Sequence, residues 1–198
     1  MGIGRGLNMG VDFQRGETSL YFGLYEIELN RHLRSIAKRG YTSFDLGGQY
    51  GYDALLLAKL TGAHVLSVEM DPELAQEITE NARANPALPR IDVEAAFVSD
   101  EEGETSVTID GLARRHFVPD LIKLDIEGGE VAALRGAKTV LTDRKPAIQL
   151  EVHGADIEWE CLDLLRSAGY PPPTVVDRRT WLPEHRPIAH NRWLIFPG

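Results

Sequence analysis

A single cysteine, Cys161, stands in a chain of 198 residues. That excludes an intramolecular disulfide framework and any zinc cage of thiolates drawn from one chain, and the thiol reads as a small buried apolar side chain in a helix. Positive charge is also short. The chain has 21 Lys and Arg against 30 Asp and Glu, a net charge of -9, and such a field repels a phosphate backbone, so nucleic acid is not an expected partner. No apolar run approaches the ~20 residues of a membrane span. The opening MGIGRGLNMG lacks the apolar stretch of a signal peptide and has Gly6 where a myristoylation pattern needs Ser or Thr. The expected setting is the cytoplasm, with no membrane partner.

Several common chemistries lack their signatures too. None of the five lysines follows a glycine, so there is no Gly-Lys-Ser/Thr phosphate loop. No histidine is followed by glutamate, which removes the zinc-protease helix, and no serine sits in a Gly-x-Ser-x-Gly turn. None of the six tyrosines has a lysine four positions on, so the pair typical of short-chain dehydrogenases is missing. What is present is an ordinary globular balance, 43% apolar and 26% charged residues, in a length that makes one domain with a full core. Asp92 to Glu104 is strongly acidic, and Arg178, Arg179, Arg186 and Arg192 make the far end basic. Both read as solvated surface.

The Gly-rich first ten residues read as a flexible leader. From Glu17 to Arg39, Leu20, Leu24, Ile27, Leu29, Leu33 and Ile36 recur mostly at three- and four-residue steps, which predicts an amphipathic lead-in helix stopped at Gly40. Strands and helices then alternate. Strands are expected at Thr42 to Leu46, His64 to Val68, Ile91 to Val98, Leu121 to Leu124 and Ala147 to Val152. Helices are expected at Tyr52 to Leu60, Asp71 to Ala84, Glu130 to Leu141 and Ile157 to Ala168. That order predicts an α/β fold, a parallel sheet covered by helices. After the turn Tyr170-Pro171-Pro172-Pro173 come Thr174 to Val176 and Arg192 to Phe196 with no long helix between them, which predicts an antiparallel hairpin closing an open sheet.

The first strand runs into Asp45-Leu46-Gly47-Gly48-Gln49-Tyr50-Gly51 and then directly into a helix, the place where an open α/β sheet binds a nucleotide-like ligand. The dinucleotide fingerprint fails, because Leu46 stands where its first glycine belongs. The weaker pattern, an acidic residue, one apolar residue, then Gly-x-x-x-Gly, does match and is common to S-adenosylmethionine sites. Glu69 closes the second strand 22 positions after Gly47, the separation at which a carboxylate accepts hydrogen bonds from ribose hydroxyls. Asp45 either orients the loop or meets the methionine ammonium through water.

Four passages, FDLGGQYGY, LSVEMDPE, VSDEEGETSVTIDGL and LIKLDIEGGEVAALRGA followed by IQLEVH, resemble the FkbM family of S-adenosylmethionine-dependent methyltransferases over about Thr42 to Phe196. KLDIEGGE is the most specific of them. The resemblance implies a class I, Rossmann-like methyltransferase fold: a mostly parallel seven-stranded sheet with an antiparallel last strand and helices on both faces. Residues 1–40 would form a leader and lead-in helix, and residues 41–198 the methyltransferase domain. It implies methyl transfer to hydroxyl oxygen on natural products, sugars or related metabolites. Gly47, Gly48 and Gly51 would lie along the methionine part of the donor, Glu69 would hold the ribose, and Val98, Ser99 and Asp100 would border adenine. Larger members carry long N-terminal extensions, so the cover over the acceptor pocket is expected to be small here.

A methyltransferase must align an acceptor oxygen with the methyl carbon at roughly 3 to 3.5 Å and remove its proton. The ends of the fourth and fifth strands supply Asp125 and Glu127, then Glu151 and His153. Two mechanisms compete for them. In one, His153 or Asp125 is the general base; in the other, Asp125, Glu151 and His153 bind magnesium or manganese, which lowers the acceptor pKa. Glu127 and Glu130 also open a helix at Gly128-Gly129, where carboxylates stabilise the N-terminal dipole without any chemistry. His190 in the late loop is a second base candidate. Tyr21, Tyr25, Trp159, Trp181 and Trp193 are assigned to packing. The expected partner is a small hydroxylated acceptor, with a homodimer left open. A non-catalytic S-adenosylmethionine-binding protein and, behind it, a nicotinamide-dependent oxidoreductase are the alternatives.

Overall fold

Strands covered by helices on both faces read as short continuous apolar runs, and the central strands follow this apart from a few buried polar residues. Every residue is buried in β1 (Ser43–Leu46), β2 (Val65–Glu69), β6 (Leu121–Leu124) and β7 (Ala147–Val152). The computed structural model describes residues 3–10, 27–177 and 191–198. Within them, β3 (Ile91–Ala95), β8 (Thr174–Asp177) and β9 (Arg192–Phe196) complete a seven-stranded sheet of order β3-β2-β1-β6-β7-β9-β8. The first five strands of that order run parallel, and β9 is antiparallel to both of its neighbours. The expected hairpin is there, with its last strand inserted between β7 and β8.

Two apolar clusters sandwich the sheet. On one face Phe44, Leu46, Ile122, Leu124, Ile148 and Leu150 meet α4 (Ile109–Arg115), α5 (Glu130–Arg135) and α6 (Ala155–Ser167), where Cys161 is buried as expected. On the other, Val65, Leu121, Ala147, Trp193 and Ile195 meet α1 (Asn30–Ile36) and α2 (Tyr52–Thr61). Among the described residues no helix is long and apolar enough to cross a membrane.

Three expected elements differ. The lead-in helix covers only Asn30–Ile36 of the described residues; Leu33 and Ile36 face the core as the spacing predicts, but Ile27 is exposed in a turn. The strand predicted over Ile91 to Val98 breaks at Ala96. Its partner β2 ends at Glu69, opposite Ala95, so the chain leaves the sheet and pairs as β4 (Phe97–Val98) with β5 (Ser106–Val107). The helix predicted over Glu130 to Leu141 is interrupted at Gly136, where an added Cβ would lie 2.3 Å from the Ser99 carbonyl oxygen. Helix α3 (Pro72–Arg83) starts where its sequence says: Asp71 accepts from the Glu73 amide at 2.8 Å and Pro72 opens the first turn.

Candidate active site

The strand order reverses between β1 and β6, so the loops leaving their carboxyl ends part and open a crevice. The turn after β1 forms one wall. Gly47 has φ +83, and a Cβ there would lie 1.7 Å from the Asp125 carbonyl oxygen, so only glycine lets β1 and β6 approach this closely. The rest of the turn is tied peptide by peptide. The amides of Gly47 and Gly48 donate to the Val68 carbonyl at 2.9 and 3.2 Å. The Lys123 ammonium donates to the Gly47 carbonyl at 3.0 Å, and Asn81 Nδ2 donates to the Tyr50 carbonyl at 2.8 Å. Glu69, buried at the end of β2, accepts from the Gln49 amide at 2.9 Å and from the Asp71 amide at 3.0 Å. Gly51, with φ +84, hands the turn to α2.

Beneath the turn, side chains on one face of the sheet are polar where apolar ones are the rule. Ser67, Asp45, Lys123 and Gln149 stand in register across four strands, all buried. Ser67 donates to Asp45 Oδ2 at 2.9 Å. Lys123 Nζ lies 3.5 Å from Asp45, 3.4 Å from Asp53 on α2 and 3.6 Å from Asp125. Burial pushes the Asp45 carboxyl up to about 6; Lys123 and the Ser67 hydrogen bond oppose the rise, and Asp53 adds to it.

The second wall is built at the ends of β6 and β7. His153 Nδ1 is 2.6 Å from Glu130 Oε1, while Nε2 faces Glu151 at 3.5 Å and Asp125 at 3.7 Å. Trp193 Nε1 on β9 donates to Glu151 Oε2 at 2.8 Å, fixing that carboxylate. Burial alone would lower the His153 pKa. Hydrogen bonds to Glu130 and Glu151, with the charges of Glu151 and Asp125, overcome it and raise the ring to about 10, so His153 is an imidazolium at neutral pH. Asp125 is pushed up to about 6, first by burial and then by Glu151 and Asp53, against the pull of Lys123 and His153.

The structure thus brings Asp125, Glu151 and His153 together. Glu127 does not join them; it sits exposed in a left-handed turn with φ 44. Glu130, for which helix-end stabilisation was the leading expectation, is fully buried against His153. Val98, Ser99 and Asp100 follow the point where the Ala96 amide donates to the Glu69 carbonyl at 3.0 Å, on the Glu69 side of the crevice. Val98 is buried, and Ser99 Oγ donates to the exposed Asp100 at 3.2 Å. His190 lies outside the described residues, as do Tyr21, Tyr25 and Trp181.

The methyltransferase FkbM domain matches residues 84–185, just over half the chain, and takes in Asp125, Glu151 and His153. This chain belongs to the FkbM methyltransferase family. S-adenosylmethionine is the methyl donor that membership implies. The FkbM methyltransferase from Methylobacillus flagellatus superposes with a TM-score of 0.63 at 19% identity, over 98% of this chain and 58% of that one; the chain therefore spans little more than half of that relative. The precorrin-6y C5,15-methyltransferase from Geobacter metallireducens gives 0.60 at 13% identity, with 86% of each chain covered. A TehB-like SAM-dependent methyltransferase from Corynebacterium glutamicum gives 0.56 at 16% identity, over 93% of this chain and 94% of that one. These likenesses establish the class I methyltransferase fold, and no curated protein sequence is similar to the chain.

Sequence reasoning about this FkbM-family enzyme missed Lys123, Asp53, Asn81 and the Trp193 indole. A lysine inside the apolar run Leu121-Ile122-Lys123-Leu124 was a usable signal, because a strand buried on both faces tolerates a charge only beside partners.

Proposed function

We propose that the chain transfers the methyl group of S-adenosylmethionine to a hydroxyl oxygen of a small metabolite, with Asp125 as the base. The observation that carries this reading is Asp125 itself, buried, pushed up to about 6 and flanked by a fixed imidazolium. A neutral amine attacks with its own lone pair, whereas a hydroxyl must lose its proton as the bond forms. A carboxylate tuned toward neutrality suits that task. Of the two expected base candidates, this reading takes Asp125 and gives His153, whose pKa its carboxylate neighbours raise, the role of holding Asp125 and Glu151 in place.

The residues present fit the donor. Each Glu69 oxygen holds one backbone amide and keeps acceptor capacity for a ribose hydroxyl. Asp45 Oδ1 is buried without a hydrogen bond, and three carboxylates surround the single ammonium of Lys123, an excess that favours a cationic ligand over an anionic one. The bound donor supplies an electrophilic methyl carbon. Asp125 takes the acceptor proton, while Glu130 and Trp193 keep the neighbouring groups from turning away. Gly47, Gly48 and Gly51 would flank the methionine part, and Val98, Ser99 and Asp100 the adenine.

A divalent cation is the second reading, favoured by one geometry. Ligand atoms of Asp125, Glu151 and His153 all lie within 4.8 Å of one another, and the Glu130 contact to Nδ1 is the outer carboxylate that orients a metal-binding imidazole. Magnesium or manganese there would acidify the acceptor hydroxyl. Incubation with methyl-labelled S-adenosylmethionine and cell extract tests both readings. An O-methylated product whose formation survives chelation is the expected result. Loss on chelation with recovery on added magnesium or manganese assigns the metal, and label on nitrogen or carbon refutes hydroxyl transfer.

A further inference from the structure

The N-terminal residues 3–10 are fastened to the molecule at two points, and the second of these reaches the Gly-rich turn. At the first, Ile3 is buried among the residues of α1 and α2, and Lys59 donates to the Ile3 carbonyl at 3.0 Å and to that of Arg5. Gly4 lies against the Tyr52 ring, where a Cβ would come within 2.8 Å of the phenol oxygen. At the second, two carboxamides read the backbone. Asn85 Oδ1 accepts from the Asn8 amide at 2.8 Å and its Nδ2 donates to the Asn8 carbonyl at 2.6 Å. Asn81, one helical turn earlier, accepts from the Gly10 amide at 3.0 Å through Oδ1 and donates to the Tyr50 carbonyl at 2.8 Å through Nδ2.

Asn81 is buried, and its carboxamide has one end in each segment. We infer that Asn81 is a positioning residue for donor binding, and that residues 8–10 are the strap that sets its carboxamide toward the turn. The inference rests on the reading that this turn holds S-adenosylmethionine. Tyr50 lies between Gln49, which has φ 46, and Gly51, which has φ 84. Gly51 takes a positive φ without cost, but Gln49 is held in a left-handed conformation that a residue with a side chain leaves readily unless it is tied. Glu69 ties the Gln49 amide on one side and Asn81 ties the Tyr50 carbonyl on the other. A strap that orients Asn81 therefore steadies the turn, and a donor that orders the turn steadies the strap.

Calorimetry with S-adenosylhomocysteine, together with hydrogen exchange at the Asn8 and Gly10 amides, tests this. Asn81→Asp loses the donor to Tyr50 and sets a carboxylate against that carbonyl. Its Kd is expected to rise about three- to tenfold, the range for one lost hydrogen bond, with kcat at saturating donor retained. Asn85→Ala removes both contacts to the Asn8 backbone and the Nδ2 bond to the Asn81 carbonyl at 2.8 Å but leaves the Asn81 carboxamide in place, and its Kd rises about twofold, the low end of that range. In the wild-type chain, S-adenosylhomocysteine slows exchange at Gly10, because coupling between two sites is reciprocal. Equal binding by wild type and both variants, with Gly10 exchange unchanged, overturns the inference. No binding by the wild-type chain refutes the donor reading instead. Should Asn81→Asp fail to fold, Asn85→Ala and exchange in the wild type decide the question.

Discussion

Asp125 and Lys123 share a crevice floor but answer to different measurements. Asp125→Asn keeps the shape and removes the base, so kcat is expected to fall by about 10²- to 10⁴-fold while the donor Kd, by calorimetry, stays within about twofold. With a folded-state pKa near 6, the base is lost as pH falls through that value, so kcat/KM should drop on the acid side of about 6 and level off above it. Lys123→Met leaves Asp45, Asp53 and Asp125 beside an apolar chain. Breaking a buried pair in this way costs about 3 to 5 kcal/mol. The melting temperature should fall, and in whatever activity survives the acid limb should move to higher pH, because Lys123 holds the Asp125 pKa down. An unshifted limb would separate Lys123 from the base.

Among the elements, the central strands were legible because burial on both faces leaves short, largely apolar runs, even though Asp45, Ser67, Lys123 and Gln149 interrupt them. The break after β3 was not legible, since nothing in Ile91 to Val98 reports that β2 stops at Glu69; the end of a strand is set by its neighbour as much as by its own residues. Helix α4 could have been read from Thr108, which caps it by accepting from the Gly111 amide at 2.9 Å, and from Ile109 and Leu112 on its buried side. The site was half legible. Asp45, Glu69, Asp125, Glu151 and His153 lie at strand ends, where the fold class points. Lys123 and Asp45 face each other on neighbouring strands but stand 78 residues apart in the sequence, so the lysine is a local signal and its partner is not. Gly136 gives the prediction at this scale. Its φ of -79 suits any residue, so the cost of Gly136→Ala comes from steric clash, with the Ser99 carbonyl first and then with Asp100 Cα and Thr108 Cβ at 3.2 Å, about 1 to 3 kcal/mol by chemical denaturation. If Ser99 borders the donor, the Kd for S-adenosylhomocysteine rises as well.

For the molecule as a whole, the buried charges make stability decline with rising pH. The His153 pKa is raised from 6.5 to about 10, so its contribution is fully present below 6.5 and is lost as pH climbs through 10. Asp45 and Asp125, raised from 3.8 to about 6, bind protons more tightly folded than unfolded and lose stability across that lower window. Melting temperatures from pH 6.5 to 10 should therefore fall in the wild-type chain and fall less in His153→Gln. Parallel curves would show that the three carboxylates do not hold the ring charged.

Strand β9 follows β8 in the chain, yet it lies inside the sheet between β7 and β8, and its Trp193 orients Glu151. An edge strand can fray by giving up one ladder, whereas β9 can open only by breaking two at once. The indole that steadies the acid of the second wall is therefore anchored in one of the segments least free to open locally, although the hairpin that carries it sits at the margin of the sheet.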